Sequence, residues 1–374
     1  MNRRSYLAAV GLAATAGAAG CVGRLGPGRP TPTADGRVVD AAGRVRVRIE
    51  TVADGLTVPW GAAWRGRDCY LTERPGRVVR LRGGTGPAET VLDVDDGDLP
   101  GLTARGEGGL LGLGIHPTEP YAYTYGTYGD ENRLYRHDLR SGWARDGPLL
   151  AGIPAAAIHD GGRLVVRDGP AGPAIWLGTG DAARGNLAQQ RESLAGKVLR
   201  VTTDGRPYPD NPFGTPVYTY GHRNVQGLAF RGSEAYAVEH GPDRDDEVNL
   251  LRPGANYGWP RVTGGRSRAD FEPPVESYTP TIAPGGAVFY PDDGPVRAWR
   301  GDLFVATLKG AHLRRLRIDG GRVVDQEVLL DGAYGRLRTP FVDPDGHLRV
   351  TTSNRDGRGR PRSGDDRVLR LTPA

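Results

Sequence analysis

One hydrophobic pattern recurs along the chain. A short apolar strand is followed by a turn carrying Gly, Asp or Pro. A second strand follows and ends in a polar residue, and often a third, rich in Val, Leu and Arg. Residues 61–64 lead to 69–73 and 77–81; 110–116 lead to 122–125 and 133–136; 163–166 lead to 175–179 and 197–201. Residues 226–230 lead to 235–239 and 247–251; 286–290 lead to 303–307 and 313–318; 339–342 lead to 348–351 and 367–371. Six units at intervals of roughly 50 to 65 residues fit the period of propeller blades. The last unit ends the chain one strand short, and residues 44–52, RVRVRIETV, alternate as a strand ahead of the first. The pattern predicts an all-β, six-bladed β-propeller over residues 44–374, its ring closed by that N-terminal strand. No linkers between the units support a row of separate sandwich domains.

Composition adjusts this picture in two ways. The 58 Gly and 30 Pro of the 374 residues are spread along the chain, which reads as many turns and not as disorder. The net charge is +5, but basic and acidic residues alternate without long runs, so no nucleic-acid partner is expected. Lys occurs only at 197 and 309, so 47 of the 49 basic residues are Arg.

The N-terminus carries targeting chemistry. Arg3 and Arg4 precede a small apolar stretch, residues 8–20, that is too short to span a bilayer. The pair resembles a twin-arginine export signal, and Ala18-Ala19-Gly20-Cys21 resembles a lipobox. Residues 1–21 are therefore expected to be a lipoprotein signal and 22–43 a flexible tether. The mature protein would be held by lipid on Cys21 at the outer side of the cytoplasmic membrane. A plain cleaved signal with an incidental Cys is the alternative. With Cys21 lipidated, Cys69 has no disulfide partner, and no C-x-x-C-H haem motif exists.

In a blade, the start of the first strand and the end of the second share one face of the disc. His159, Glu107, Arg223, Asn224 and Thr281 precede first strands, with Arg336 and Arg338 at the start of another; Asp181, Gly241, Pro242 and Lys309 follow second strands. These residues are expected at one mouth of the axial channel, where loop ends on a rigid scaffold build sites. His159 could take a proton from a hydroxyl, with Asp181 or Asp160 holding its other nitrogen. A His that merely caps the Gly161-Gly162 turn is the structural alternative. Lys309 with Arg223, Arg336 and Arg338 suits an anionic ligand carrying carboxylates or phosphates, unless the arginines pair with acids of neighbouring blades. Asp243, Asp245, Asp246 and Glu247 put four carboxylates in five positions, which reads equally as a calcium turn or a solvated acidic one.

The segments GEGGLLGLGIHP, HDGGRL, GTGDA, LAGKVLRV, YGHRNVQGLAF, EHGPDRDDEVNL, NYGWP and PTIAPGGAVFY together resemble the soluble quinoprotein glucose dehydrogenase and aldose sugar dehydrogenase family, in the family's order from about Val58 to Leu371. The resemblance implies a six-bladed propeller that binds pyrroloquinoline quinone (PQQ) and Ca²⁺ and oxidises aldose sugars at C1 to lactones. By that resemblance His159 is the base, Asp181 its orienting carboxylate, and the carbonyls of Gly241 and Pro242 ligands of the calcium beside PQQ. Arg223 and Asn224 would lie by the quinone oxygens. Thr281, Lys309, Arg336 and Arg338 would hold the cofactor's carboxylates, with Glu107 nearby. Glu247 and the Tyr257 carbonyl match part of a second, structural calcium site.

The chain departs from the glucose-type pattern at Thr279, where a Trp helps cover the cofactor, and at Ser267, near a further calcium ligand. It is also shorter at residues 185–194 and 270–280, which points to an aldose-type monomer with an open pocket. The absence of a haem motif points to an external electron acceptor. Two other readings are a non-catalytic ligand-binding or adhesion propeller and a metal-dependent lactonase. The latter would need an axial cluster of carboxylate and Asn ligands.

Overall fold

The structure, a computed structural model, describes residues 37–39 and 45–374 apart from 266 and 267. The export signal, Cys21 and most of the tether lie outside the described residues, as does Ser267. Among the described residues no helix is long and apolar enough to cross a membrane.

Six antiparallel sheets follow one another in chain order. The innermost strands of blades 1 to 6 are Pro59–Arg65, Leu110–Ile115, Leu164–Arg167, Val225–Arg231, Pro284–Phe289 and Leu337–Val342. The second strands are Asp68–Glu73, Tyr121–Tyr128, Ala174–Gly178, Glu234–Glu239, Leu303–Thr307 and Leu348–Thr352. All fall on the apolar runs seen in the sequence. Each blade also has an outer strand, for example Glu89–Asp93, Val217–Tyr220 and Arg322–Leu329, which the apolar pattern does not mark.

Blade 6 is completed from the other end of the chain. Arg46–Ala53 pairs antiparallel with Val368–Pro373, the last strand, and so supplies the missing fourth strand. A fifth, Arg37–Val39, pairs with Arg46–Ala53. These three residues fall inside the segment expected to be tether, so the paired structure begins earlier than the sequence pattern suggests.

The core lies between blades. Val238 and Val248 of blade 4 pack with Phe289, Leu303 and Val305 of blade 5, and equivalent layers recur around the ring. Near the axis the inner strands converge so closely that side chains do not fit. A Cβ on Gly285 would stand 2.4 Å from the carbonyl oxygen of Arg338 in the next blade. Cys69 is sealed inside blade 1, and burial pushes its thiol up to about 12, which keeps it protonated and inert.

Candidate active site

The topology delivers the expected residues to one face. His159 precedes the first strand of blade 3, and Asp181 follows the second. His159 is 12% exposed at its side chain and Asp181 2%, and Nδ1 donates to Asp181 Oδ1 over 2.7 Å. The carboxylate also accepts the Trp259 indole N–H at 2.7 Å and the Ala183 amide at 2.8 Å. With three donors on it, Asp181 acts as an acceptor only, so the imidazole proton sits on Nδ1 and Nε2 keeps its lone pair. Nε2 carries no hydrogen bond among the described residues.

The backbone here is shaped by close approach. His159 has φ +66°, and a Cβ on Gly180 would stand 1.7 Å from the His159 carbonyl oxygen. Only glycine lets the two loops of blade 3 cross at that distance. Asp160, the rival partner for His159, faces away. Its Oδ1 accepts from the Ala156 amide and Asn132 Nδ2, its Oδ2 is buried without a partner, and burial pushes its carboxyl up to about 6.

A second His–carboxylate pair shows what a purely structural one looks like. His222 is fully buried, bonds Glu239 at 2.7 Å through Nδ1 and Thr219 at 2.9 Å through Nε2, and stacks on Tyr257 at 4.6 Å. It has no free nitrogen, whereas His159 has one.

Beside His159 lies a cavity of about 330 Å³ lined by Trp60, Arg74, Glu107, Ile158, Gln226, His240, Arg338, Asp356 and Arg358. Adjoining it through Leu308 and Arg358 is a second hollow of about 340 Å³, lined by Lys309, Arg336, Arg358, Arg360 and Arg362 with no carboxylate. Lys309 is exposed and makes no ion pair among the described residues. Arg336 pairs with Asp356 at 2.7 Å, inside its own blade and not across blades. Arg338 is buried against Ser353 and Gln226, and burial pulls it down to about 10. Glu107 accepts the His159 amide at 3.0 Å and Arg358 at 2.9 Å. Burial alone would raise its carboxyl; those two donors, together with the charges of His240 and Arg358, outweigh it and hold it below the usual range.

Blade 4 supplies the next group. Arg223 donates to the His240 carbonyl and lies 5.3 Å over the Trp259 ring, but its Nε is buried without an acceptor. Asn224 accepts the Gly161 amide at 3.0 Å, and its Nδ2 is likewise buried and unpartnered. Two buried donors left without acceptors by the protein fit a bound carbonyl- and carboxylate-rich group.

The acidic turn does not act as one cluster. Asp246 is fully buried and spends both oxygens on the amides of Gly241, Ile282 and Ala283 and on the Thr281 hydroxyl. Thr281 thus faces Asp246, while Asp245 bonds Thr263 and Thr279, and Asp243 is exposed. The carbonyls of Gly241 and Pro242 accept no hydrogen bond among the described residues, which suits a hard cation. Glu247, Glu239, Asp245, Gly241 and Tyr257, together with Arg223, line a separate hollow of about 10 Å³, room for one ion, where the carboxylates outnumber the single guanidinium. Burial, reinforced by Glu239, pushes Glu247 up to about 8, a cost that a cation would relieve. The one triple of closely spaced ligand groups among the described residues, Asp343, Asp345 and His347, is neutralised by Arg349 and Arg67.

Sequence reasoning missed Trp60, Arg74, Ile158, Gln226, Trp259, Asp356 and Arg358. Ile158, 39% exposed beside the base, was flagged by nothing but its neighbour.

A six-bladed ring with an open His–carboxylate pair beside a cation-lined cavity defines the propeller class of sugar oxidoreductases. The chain belongs to the Glucose / Sorbosone dehydrogenase family, whose model matches residues 56–362. It is 38% identical to the aldose sugar dehydrogenase of Streptomyces coelicolor, solved in a PQQ-bound form, with a TM-score of 0.78 over 87% of this chain and 98% of that one. It is 28% identical to the aldose sugar dehydrogenase of Escherichia coli K12, over 83% of this chain and 91% of the relative. Quinoprotein glucose dehydrogenase B of Acinetobacter calcoaceticus is also 28% identical, over 82% and 85%. The protein is an oxidoreductase, a sugar dehydrogenase, and the non-catalytic reading is set aside.

Proposed function

We propose that the protein oxidises aldoses at C1 to lactones, using PQQ and Ca²⁺ on the channel face and passing electrons to an external acceptor. The observation that carries this is the His159–Asp181 pair, with a free Nε2, opening beside a cavity whose charged walls are mostly cationic. His159 Nε2 takes the proton of the C1 hydroxyl, and Asp181 stabilises the imidazolium that forms. Arg338, Arg336 and Lys309 hold carboxylates, and Arg223 and Asn224 offer their unpartnered donors to carbonyl oxygens. Thr281 acts through Asp246, fixing the turn whose Gly241 and Pro242 carbonyls would hold a calcium ion. Glu247 and the Tyr257 carbonyl contribute to a second ion. Bound PQQ would supply the hydride acceptor, and calcium would supply Lewis acidity beside it.

The test is a titration of apoprotein lacking residues 1–21 with PQQ, with and without Ca²⁺, followed by aldoses. Calcium-dependent binding and loss of the oxidised cofactor's absorbance on sugar addition are expected. EGTA should abolish both, and excess Ca²⁺ should restore them. Absence of PQQ binding, or lactone hydrolysis without PQQ, would overturn the reading in favour of another chemistry. Arg3, Arg4 and the lipobox support export and a lipid anchor on Cys21, and the short loops at 185–194 and 270–280 support a monomer. Mass spectrometry of Cys21 from membranes, and sedimentation of the soluble form, check these.

A further inference from the structure

The axial channel has a second half that sugar oxidation leaves unused. The later residues of five inner strands, including Val165, Leu228, Phe230, Val288, Phe289 and Phe341, enclose a cavity of about 340 Å³ at the end away from His159. No carboxylate lines it. The two halves are divided by a layer in which Trp60 and Gln226 face the site and Arg163 and Thr339 face the far cavity.

Arg163 is the unusual member of that layer. It is 6% exposed. Its Nε donates to the Gln226 carbonyl at 2.8 Å, its NH2 to the Thr339 hydroxyl at 3.1 Å, and its plane lies 4.3 Å from the Trp60 ring centre. NH1 has no acceptor, and no carboxylate pairs with Arg163 among the described residues. The charge that most affects it besides burial is another cation, Arg338, and burial followed by that repulsion pulls Arg163 down to about 9. A buried guanidinium without an anion is costly, and hydrogen bonds to neutral oxygens offset only part of that cost.

We infer that the far half of the channel binds a small organic anion: a carboxylate resting on NH1 of Arg163, with its aliphatic or aromatic body against Phe230, Phe289, Phe341 and Val288. The volume lies at the low end of ligand pockets, roughly 300 to 1,000 Å³, which limits the body to a single ring or a short chain. The inference does not depend on which group occupies the other mouth.

Isothermal titration of the protein with benzoate and hexanoate distinguishes an aromatic from an aliphatic body, with benzyl alcohol and inorganic sulfate as probes of the apolar part and the charge alone. Saturable binding of at least one carboxylate is expected, at least tenfold tighter than of benzyl alcohol or of sulfate. Val288→Trp, which puts a larger side chain into the wall of the far cavity and leaves the Arg163 guanidinium in place, should weaken that binding at least tenfold, and Arg163→Gln should do the same if it folds. The inference fails if neither carboxylate binds, if sulfate binds as well as both, or if Val288→Trp binds like the parent protein. The last result would move the ligand to the other mouth.

Discussion

At the scale of the residue, the site rests on which nitrogen of His159 is free. Asp181 decides this by accepting the hydrogen bond of Nδ1–H while the Trp259 indole and the Ala183 amide hold the carboxylate still. Asp181→Asn removes the charge that stabilises the imidazolium and should lower kcat by roughly 10²- to 10⁴-fold with little change in KM. Steady-state kinetics on the loaded enzyme measure it. Asp160 makes a different prediction. Its folded carboxyl is raised to about 6 from an ordinary 3.8, so the native state holds the proton more tightly than the unfolded chain. Its stabilising contribution is full below the unfolded value and is lost as pH rises through about 6. Asp160→Asn should therefore stabilise the protein by roughly 1 to 3 kcal/mol at neutral pH and by little at pH 4, read by denaturant unfolding at both. His159 and Asp181 were legible because both abut strands whose apolar runs are plain. Trp259 and Arg358 were not, because they reach the site from irregular loops where no period reports direction.

At the scale of the element, rarity in the sequence was an incomplete guide. Both lysines stood out against 47 arginines, yet only Lys309 is exposed at the site. Lys197 is fully buried at the start of its strand, and its Nζ donates to the carbonyls of Leu187, Ala188 and Ala195. It fastens the loop that follows Asp181. Lys197→Met leaves the Ala195 carbonyl without a donor and takes one donor each from the Leu187 and Ala188 carbonyls, which keep the Gln190 and Gly221 amides; it should cost at least ~2 kcal/mol, with the loop becoming protease-sensitive before the ring unfolds. Inner and second strands were legible because burial on both faces makes them continuous apolar runs. Outer strands such as Arg322–Leu329 lie half in solvent, carry Arg, Asp, Gln and Glu, and blend into the turns around them. The four crowded carboxylates read as one cluster in one dimension, but alternation along a strand and a left-handed Asp245 at φ +58° send them in different directions.

At the scale of the whole molecule, six blades form a closed ring only because strands from the two chain ends pair, Val47 with Pro373 and Ile49 with Leu371. Val47 and Ile49 are buried in the layer between blades 5 and 6. Deleting residues 1–53 should therefore leave an aggregating chain without a cooperative thermal transition, whereas deleting residues 1–44 should leave melting sharp; calorimetry and size-exclusion chromatography compare them. The N-terminal strand was legible in its alternation, while its pairing with blade 6 followed only from counting blades. That seam has an implication for manufacture. A ribosome releases the clasp first and its eye last, so the ring stays open throughout synthesis. It also makes the starting point arbitrary: a gene that joins residue 374 to residue 37 through a short Gly-Ser linker, long enough to cross the intervening Arg46–Ala53 strand, and begins instead at Gly321 in the blade 5 outer turn should produce the same disc.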